Sequence, residues 1–349
     1  MRLQSRNLNS VAERDNWRGR ELLEYNVFKE LVQKKIMDYM PEEYQHLKPE
    51  VSAVTKVNTT LDGLALRPER ISGRVASPCV YINNLYETYR ETGKSLDAIL
   101  TQTAKVLVDS LNDSQKIVGQ MEDALKNYKE KVTFKLINYE QNKECLADRP
   151  HRRYLDLAVV YGVAVLAGED CSGSAVVSNS LMESLGTTEE ELFQLAKENT
   201  RNLNSPRVST MFDMLSGLAR KCEFEIPPEL PDDSEMYVIT NEKSINGATS
   251  IFYEDLLHDL AEKLQDDLYI LPSSIHEVIV IPSNGHDLEE LTDMVHEINS
   301  TQVDLTEQLS NQVYRYDRAA RELTQATDTQ YKRLDGLDEN NITPKKRGR

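Results

Sequence analysis

The densest polar cluster in an apolar context is LPSSIHEV, residues 271–278. Ser273, Ser274, His276 and Glu277 supply the serine, histidine and acid of nucleophilic catalysis, with His276 as general base, provided a loop turns them into one cleft. Neighbours along a strand face opposite sides, so adjacent His276 and Glu277 do not readily form a dyad. The competing expectation is structural: the two serines satisfy turn backbone groups and His276 packs at a rim. NYEQN, residues 138–142, adds Asn138, Tyr139 and Glu140, either as amide and acid contacts for a polar ligand or as a strand end and helix cap. Asn246-Gly247 has the composition of a tight hairpin turn. A catalytic reading requires three or more of these residues, Asn138 or Tyr139 among them, to meet at one concave pocket.

Other chemistries find less to work with. His258, His276, His286 and His296 share the final third of the chain, yet no HExxH pair or Cys/His quartet occurs, and no metal is expected. Neither GxxxxGK[ST] nor GxGxxG is present, so no nucleotide cofactor is expected either. Cys79, Cys145, Cys171 and Cys222 lie far apart and read as reduced intracellular thiols. Cys171, in a turn, would need a base or a helix N-terminus to become reactive.

The whole chain is acidic, with a formal charge of −17 over 349 residues. That balance favours solubility and argues against a nucleic-acid groove across the body. Lys345, Lys346, Arg347 and Arg349 form the one basic run, a tail that could touch nucleic acid or anionic lipid. No stretch approaches the ~18 apolar residues of a membrane span, and the first twenty residues lack a signal-peptide core. The expected location is the cytoplasm, without membrane contact.

The elements that must position these residues follow from periodicity. Residues 1–20 form a weakly ordered arm. An N-terminal α+β region over 21–224 opens with a helix on which Leu23, Val27 and Leu31 recur beside Phe28, Val32 and Ile36. Segments 51–58 and 64–69 read as a strand pair turning through Asp62-Gly63, helices are expected after Pro78 and Ser95 and from Asp113 to Lys131, and 132–140 and 155–166 read as strands. Thr187 or Thr188 caps a helix that starts with three glutamates. EIPPELPDDS, residues 225–234, interrupts all periodicity and is the best internal boundary. Within 225–286, 236–241 and 249–253 read as a hairpin through Asn246-Gly247, followed by a helix and strands 268–272 and 277–282. The sum is an α+β fold, several β-hairpins in mixed or antiparallel sheets covered by helices. Over 287–330 the spacing predicts a long helical segment, with Leu288, Val295, Leu309, Tyr316 and Leu323 in one column and Leu291, Ile298, Leu305 and Ala319 in another. Such columns over 288–323 suit self-association. A polar, basic tail, 331–349, closes the chain.

The succession VSAVTKVNTTLDGLAL (51–66), INYEQNKECLADRPHRRYLDLAVVY (137–161), YVITNEKSINGATSIFY (237–253) and YILPSSIHEVIVIP (269–282) resembles the uncharacterised bacterial family DUF5688, from about Tyr25 to about Tyr316. That resemblance implies a bacterial cytoplasmic accessory role, in a setting linked to mobile genetic elements, and names no reaction. The expectation carried forward is a macromolecular binding module with a protein partner. The alternative is a hydrolase or small-ligand enzyme built on the LPSSIHEV loop.

Overall fold

A computed structural model describes residues 22–68, 77–167, 172–222 and 236–327. The expected arm, the boundary stretch 225–234, Cys171 and the basic tail lie outside the described residues. The chain divides into two compact units, one of residues 1–56 and 60–126, the other of residues 57–59 and 127–349.

The first unit packs helices on a small sheet. Helix α1 (Tyr25–Lys35) buries Phe28 and Val32, with Ile36 completing the column in the 3-10 turn that follows, while in the other column Leu23 packs at the margin of the core and Val27 is 46% exposed. Strands β1 (Leu47–Thr55), β2 (Thr60–Pro68) and β3 (Cys79–Tyr81) form a three-stranded antiparallel sheet. The turn between β1 and β2 falls at residues 56–59, not at Asp62-Gly63. Asn58 takes the left-handed conformation there (φ 59°), as asparagine tolerates, while Asp62 and Gly63 lie inside β2. Gly63 is needed for space: a Cβ would sit 2.5 Å from Cys79 Sγ and 2.6 Å from Val54 Cγ2. Helix α2 (Ile82–Thr92) ends on Gly93 at φ 63°, the left-handed stop that glycine supplies. Helix α3 (Leu96–Lys126) is a single helix where two were expected. Leu64, Leu66, Ile82, Leu100 and Leu107 join the α1 column in one core.

The second unit begins with the short helix α4 (Tyr128–Lys131) and strand β4 (Val132–Asn138). A helical turn, α5 (Lys143–Leu146), leads to β5 (His151–Tyr154), β6 (Leu157–Ala167) and β7 (Ser172–Val176). Leu157, Ala158, Val159, Val160 and Tyr161 are all buried, the signature of a strand covered on both faces. β6 carries β4 along one edge, and β5 and β7 in succession along the other, all antiparallel. Helix α6 (Asn179–Ser184) precedes α7 (Glu189–Leu203), which starts on a complete capping box between Thr188 and Glu191 and lays Leu192, Phe193, Ala196 and Thr200 on the core.

A six-stranded antiparallel sheet makes up the rest. It takes β8 (Pro206–Thr210), which runs into helix α8 (Met211–Cys222), then β9 (Tyr237–Asn241), all of it buried. Residues 247–252 form a 3-10 turn, not the second arm of a hairpin. The reason is that β9 already has strands on both sides, β8 and the later β11, so no edge remains for residues 249–253. Helix α9 (Glu254–Leu264), strands β10 (Leu268–Leu271) and β11 (Val278–Pro282), and helix α10 (Leu288–Thr301) follow, and β12 (Tyr314–Asp317) and β13 (Glu322–Gln325) complete the order β13-β12-β10-β11-β9-β8.

The long helix expected over 287–330 is therefore a correction. α10 stops at Thr301, and its Leu291 and Val295 pack on Leu271, Ile281 and Val313 of the same unit. Beyond it Tyr314 and Tyr316 are buried and Arg315 is exposed, the two-residue alternation of a strand. Leu309, Tyr316 and Leu323 match the heptad column by coincidence: they sit in a loop, on β12 and on β13, respectively. The α+β class stands, with antiparallel sheets and helices covering them.

Candidate functional site

Between α10 and β12 the chain runs irregularly, yet Gln308 through Tyr314 are buried. A buried segment outside helix and sheet must find partners for its own peptide groups, since an orphaned one costs about 1–3 kcal/mol. Both sequence motifs serve that need.

LPSSIHEV lies alongside it as a backbone partner. Ile275 N–H donates to Glu307 O (2.8 Å), Leu309 N–H to Ser273 O (3.0 Å) and Ser310 N–H to Pro272 O (2.9 Å). Ser274 and Gln308 form an antiparallel bridge. Side-chain amides take the outward carbonyls. Asn58 Nδ2 donates to Leu305 O (2.8 Å) and Gln308 O (2.7 Å), Asn138 Nδ2 to Leu309 O (3.1 Å), and Asn299 Nδ2 to Ser310 O (2.9 Å). Gln308 Nε2 reaches back to Asn299 O (2.7 Å) and Val303 O (3.0 Å). Asn142 holds Asn58 in place, donating from Nδ2 to Asn58 Oδ1 (2.7 Å) and accepting from Asn58 N–H (2.8 Å).

His276 is held by a hydrogen bond at Nδ1. Nδ1 accepts from Asn246 N–H (3.2 Å), which places the ring proton on Nε2, 3.4 Å from Glu307 Oε1. Its backbone carbonyl accepts from Thr240 Oγ1 (2.7 Å), and its N–H donates to Ser274 Oγ (3.0 Å). Asn246 is left-handed (φ 53°), and Gly247 packs so closely that a Cβ would lie 2.4 Å from His276 O. Ser273 Oγ is buried without a hydrogen-bond partner among the described residues. Glu277 is half-buried, one residue before β11.

Four of the nine motif residues, Asn138, Ser273, Ser274 and His276, thus meet the 304–310 segment, Asn246 and Gly247 pack on His276 behind them, and the centre of the cluster is the protein's own backbone. Tyr139 instead packs, half-buried, on the Ile137, Leu146, Ala158 and Val160 cluster. Over the Tyr139 ring lie the Arg153 guanidinium (4.6 Å) and Lys143 Nζ (6.0 Å), and the His151 ring stands 6.0 Å off. Glu140 is exposed and pairs with Lys143.

Asn58, Asn299 and Gln308 escape sequence reasoning, as does Asp156. The last lies in the turn between β5 and β6, accepting from Ser310 Oγ (2.6 Å) and Tyr314 OH (2.6 Å). Burial pushes its carboxyl above the usual range, against the two hydrogen bonds and nearby Arg153 that favour the carboxylate. The one signal in the sequence is QLSNQ, 308–312, polar except for Leu309 and leading into apolar Val313. Among the described residues no group of three or more His, Cys, Asp or Glu side chains is placed to hold a metal ion, and no helix is long and apolar enough to cross a membrane.

Fold and cluster together define an α+β protein whose most distinctive polar motifs bind an internal segment. The chain belongs to the family of unknown function DUF5688, whose model matches residues 25–318. No curated protein and no solved structure matches it.

Proposed function

We propose that this protein works by binding a partner protein, as a cytoplasmic accessory module in a bacterial, mobile-element-linked setting, and that the contact face centres on Tyr139. The observation that carries the reading is the half-buried Tyr139 ring, which packs on the Ile137, Leu146, Ala158 and Val160 cluster and lies under Arg153, with Lys143 and His151 beside it. Tyrosine and arginine are the residues that dominate protein interfaces, because each buries a large rigid surface while keeping a polar tip. The hydrolase alternative draws less support. A general base needs a free lone pair, and His276 spends that of Nδ1 on the Asn246 N–H, while its Nε2 lies 3.4 Å from Glu307 Oε1.

Affinity capture from the native host's cytosol, read by mass spectrometry, tests the reading with Tyr139→Ala/Arg153→Ala and His276→Ala variants whose folding is checked by circular dichroism. The expected result is a protein partner retained by His276→Ala and lost from the double variant. A small molecule, or a partner lost from His276→Ala alone, would bring the enzyme reading forward instead.

A further inference from the structure

The first unit carries a second surface, independent of Tyr139. A groove of about 280 Å³ is lined by Cys79, Val80 and Tyr81 of β3, by Asn84, Leu85 and Thr88 of α2, and by a stripe of α3. The α3 residues Ile99, Gln102, Thr103 and Val106 recur at i, i+3, i+4 and i+7, one face of a helix. Three consecutive residues of a strand alternate between its two faces, so a groove that touches all three abuts the edge of the strand. That edge is open: β3 ends its sheet and pairs only with β2 among the described residues. The groove is thus walled on one side by a strand edge that carries no further strand among the described residues, and on the other by a helix stripe in which apolar Ile99 and Val106 flank polar Gln102 and Thr103. Its volume sits just below the ~300–1,000 Å³ of pockets that enclose a whole small ligand, which suits it to one or two side chains of a longer molecule.

Charge selects among such molecules. In a chain of net charge −17, two lysines stand at lining residues of this groove. Lys56 Nζ stands 4.6 Å over the Tyr81 ring, and Lys94 Nζ donates to Gln102 Oε1 at 3.3 Å. Lys56 and Arg67 are also the charges that act on the Cys79 thiol.

We infer that the groove between β3 and α3 takes an extended peptide segment of a partner protein, which adds a strand to Cys79–Tyr81, seats an apolar side chain against Ile99 and Val106, and sets acidic residues toward Lys56 and Lys94. Backbone pairing supplies affinity in this mode, and the side-chain groove supplies selection.

The test uses the full chain and a fluorescein-labelled, end-blocked peptide, Asp-Thr-Val-Leu-Val-Thr-Asp, followed by fluorescence polarisation. Saturable binding is expected, weaker by about tenfold or more in Val106→Glu, on N-methylation of the peptide's central leucine, and with lysine in place of both aspartates. Added salt should weaken it as well. Alkylation of Cys79, mapped by mass spectrometry, should slow when the peptide is present, and that of Cys145 should not. Val106 is 45% exposed, so its substitution leaves the core intact, and Thr88→Lys offers a second obstruction of the same groove. No saturable binding up to ~1 mM, or binding indifferent to both Val106→Glu and N-methylation, overturns the inference. So does a fall in the mass of the unliganded protein on Val106→Glu, which would make a second copy the occupant. Because Tyr139→Ala leaves this groove untouched, failure here and failure of the Tyr139 face are distinguishable.

Discussion

Asn142 and Asn58, far apart in sequence, exchange two hydrogen bonds: Asn142 Nδ2 donates to Asn58 Oδ1 at 2.7 Å and Asn142 Oδ1 accepts from Asn58 N–H at 2.8 Å. The same Asn142 Nδ2 also donates to Asn138 O (2.7 Å), and Asn142 is 3% exposed. Asn142→Ala takes the partner from three groups, the Asn58 N–H, Asn58 Oδ1 and Asn138 O, a loss of about 3 kcal/mol. Urea unfolding followed by circular dichroism checks this, with Leu305–Ser310 expected to exchange amide hydrogens faster in the variant. Asn142→Asp should cost at least as much, since it removes both donated bonds and buries a charge.

Ser273 gives the opposite sign. Its hydroxyl is buried and unpartnered, so Ser273→Ala should raise stability by up to about 1 kcal/mol. A catalytic serine predicts unchanged stability and abolished turnover, so the urea midpoint separates the two roles.

Asp156 makes stability depend on pH. Burial raises its carboxyl above the ordinary value of 3.8, so across the window from 3.8 up to the raised value the folded chain binds more protons than the unfolded one. Its contribution to stability is therefore largest when it is protonated and is lost as pH climbs through that window. Asp62, Asp255 and Asp267 are shifted downward by their partners and contribute the reverse slope, at lower pH. The difference between wild type and Asp156→Asn isolates the first effect: the variant's relative stability should rise with pH through the window and level off above it. Asp156→Ala strands the Ser310 and Tyr314 hydroxyls and should cost about 2 kcal/mol in the same assay.

Two glycines should respond unequally to a methyl group. In Gly247→Ala the new Cβ meets Thr240 Oγ1 at 2.3 Å, His276 O at 2.4 Å and Asn241 N at 2.8 Å, two of them backbone atoms that cannot rotate away. A loss of about 3 kcal/mol or failure to fold is expected. Gly63→Ala meets only side-chain atoms, of Cys79 and Val54, and should cost less, about 1–2 kcal/mol. Thermal melts of the pair set the order.

Local chemistry was legible from residue types alone. The Thr188 cap with Glu191, the all-apolar β6, the Phe28–Val32–Ile36 column and the α+β class each depend on neighbours a few positions apart, and periodicity reports such neighbours directly. The family too was written in the residues from 25 to 318. What only the tertiary structure decided was partnership over long distances. Residues 249–253 have strand composition, yet β8 and β11 already fill both edges of β9, so they turn in a 3-10 helix. Leu309, Tyr316 and Leu323 fit a heptad, yet the demand for backbone partners around Gln308 and the alternation of Tyr314 and Tyr316 break the helix after Thr301. The roles of Asn138 and His276 were hidden for the same reason: a side-chain amide or imidazole reads alike whether it meets a ligand or its own backbone. Which it meets is set by where a distant, otherwise unpaired segment comes to rest.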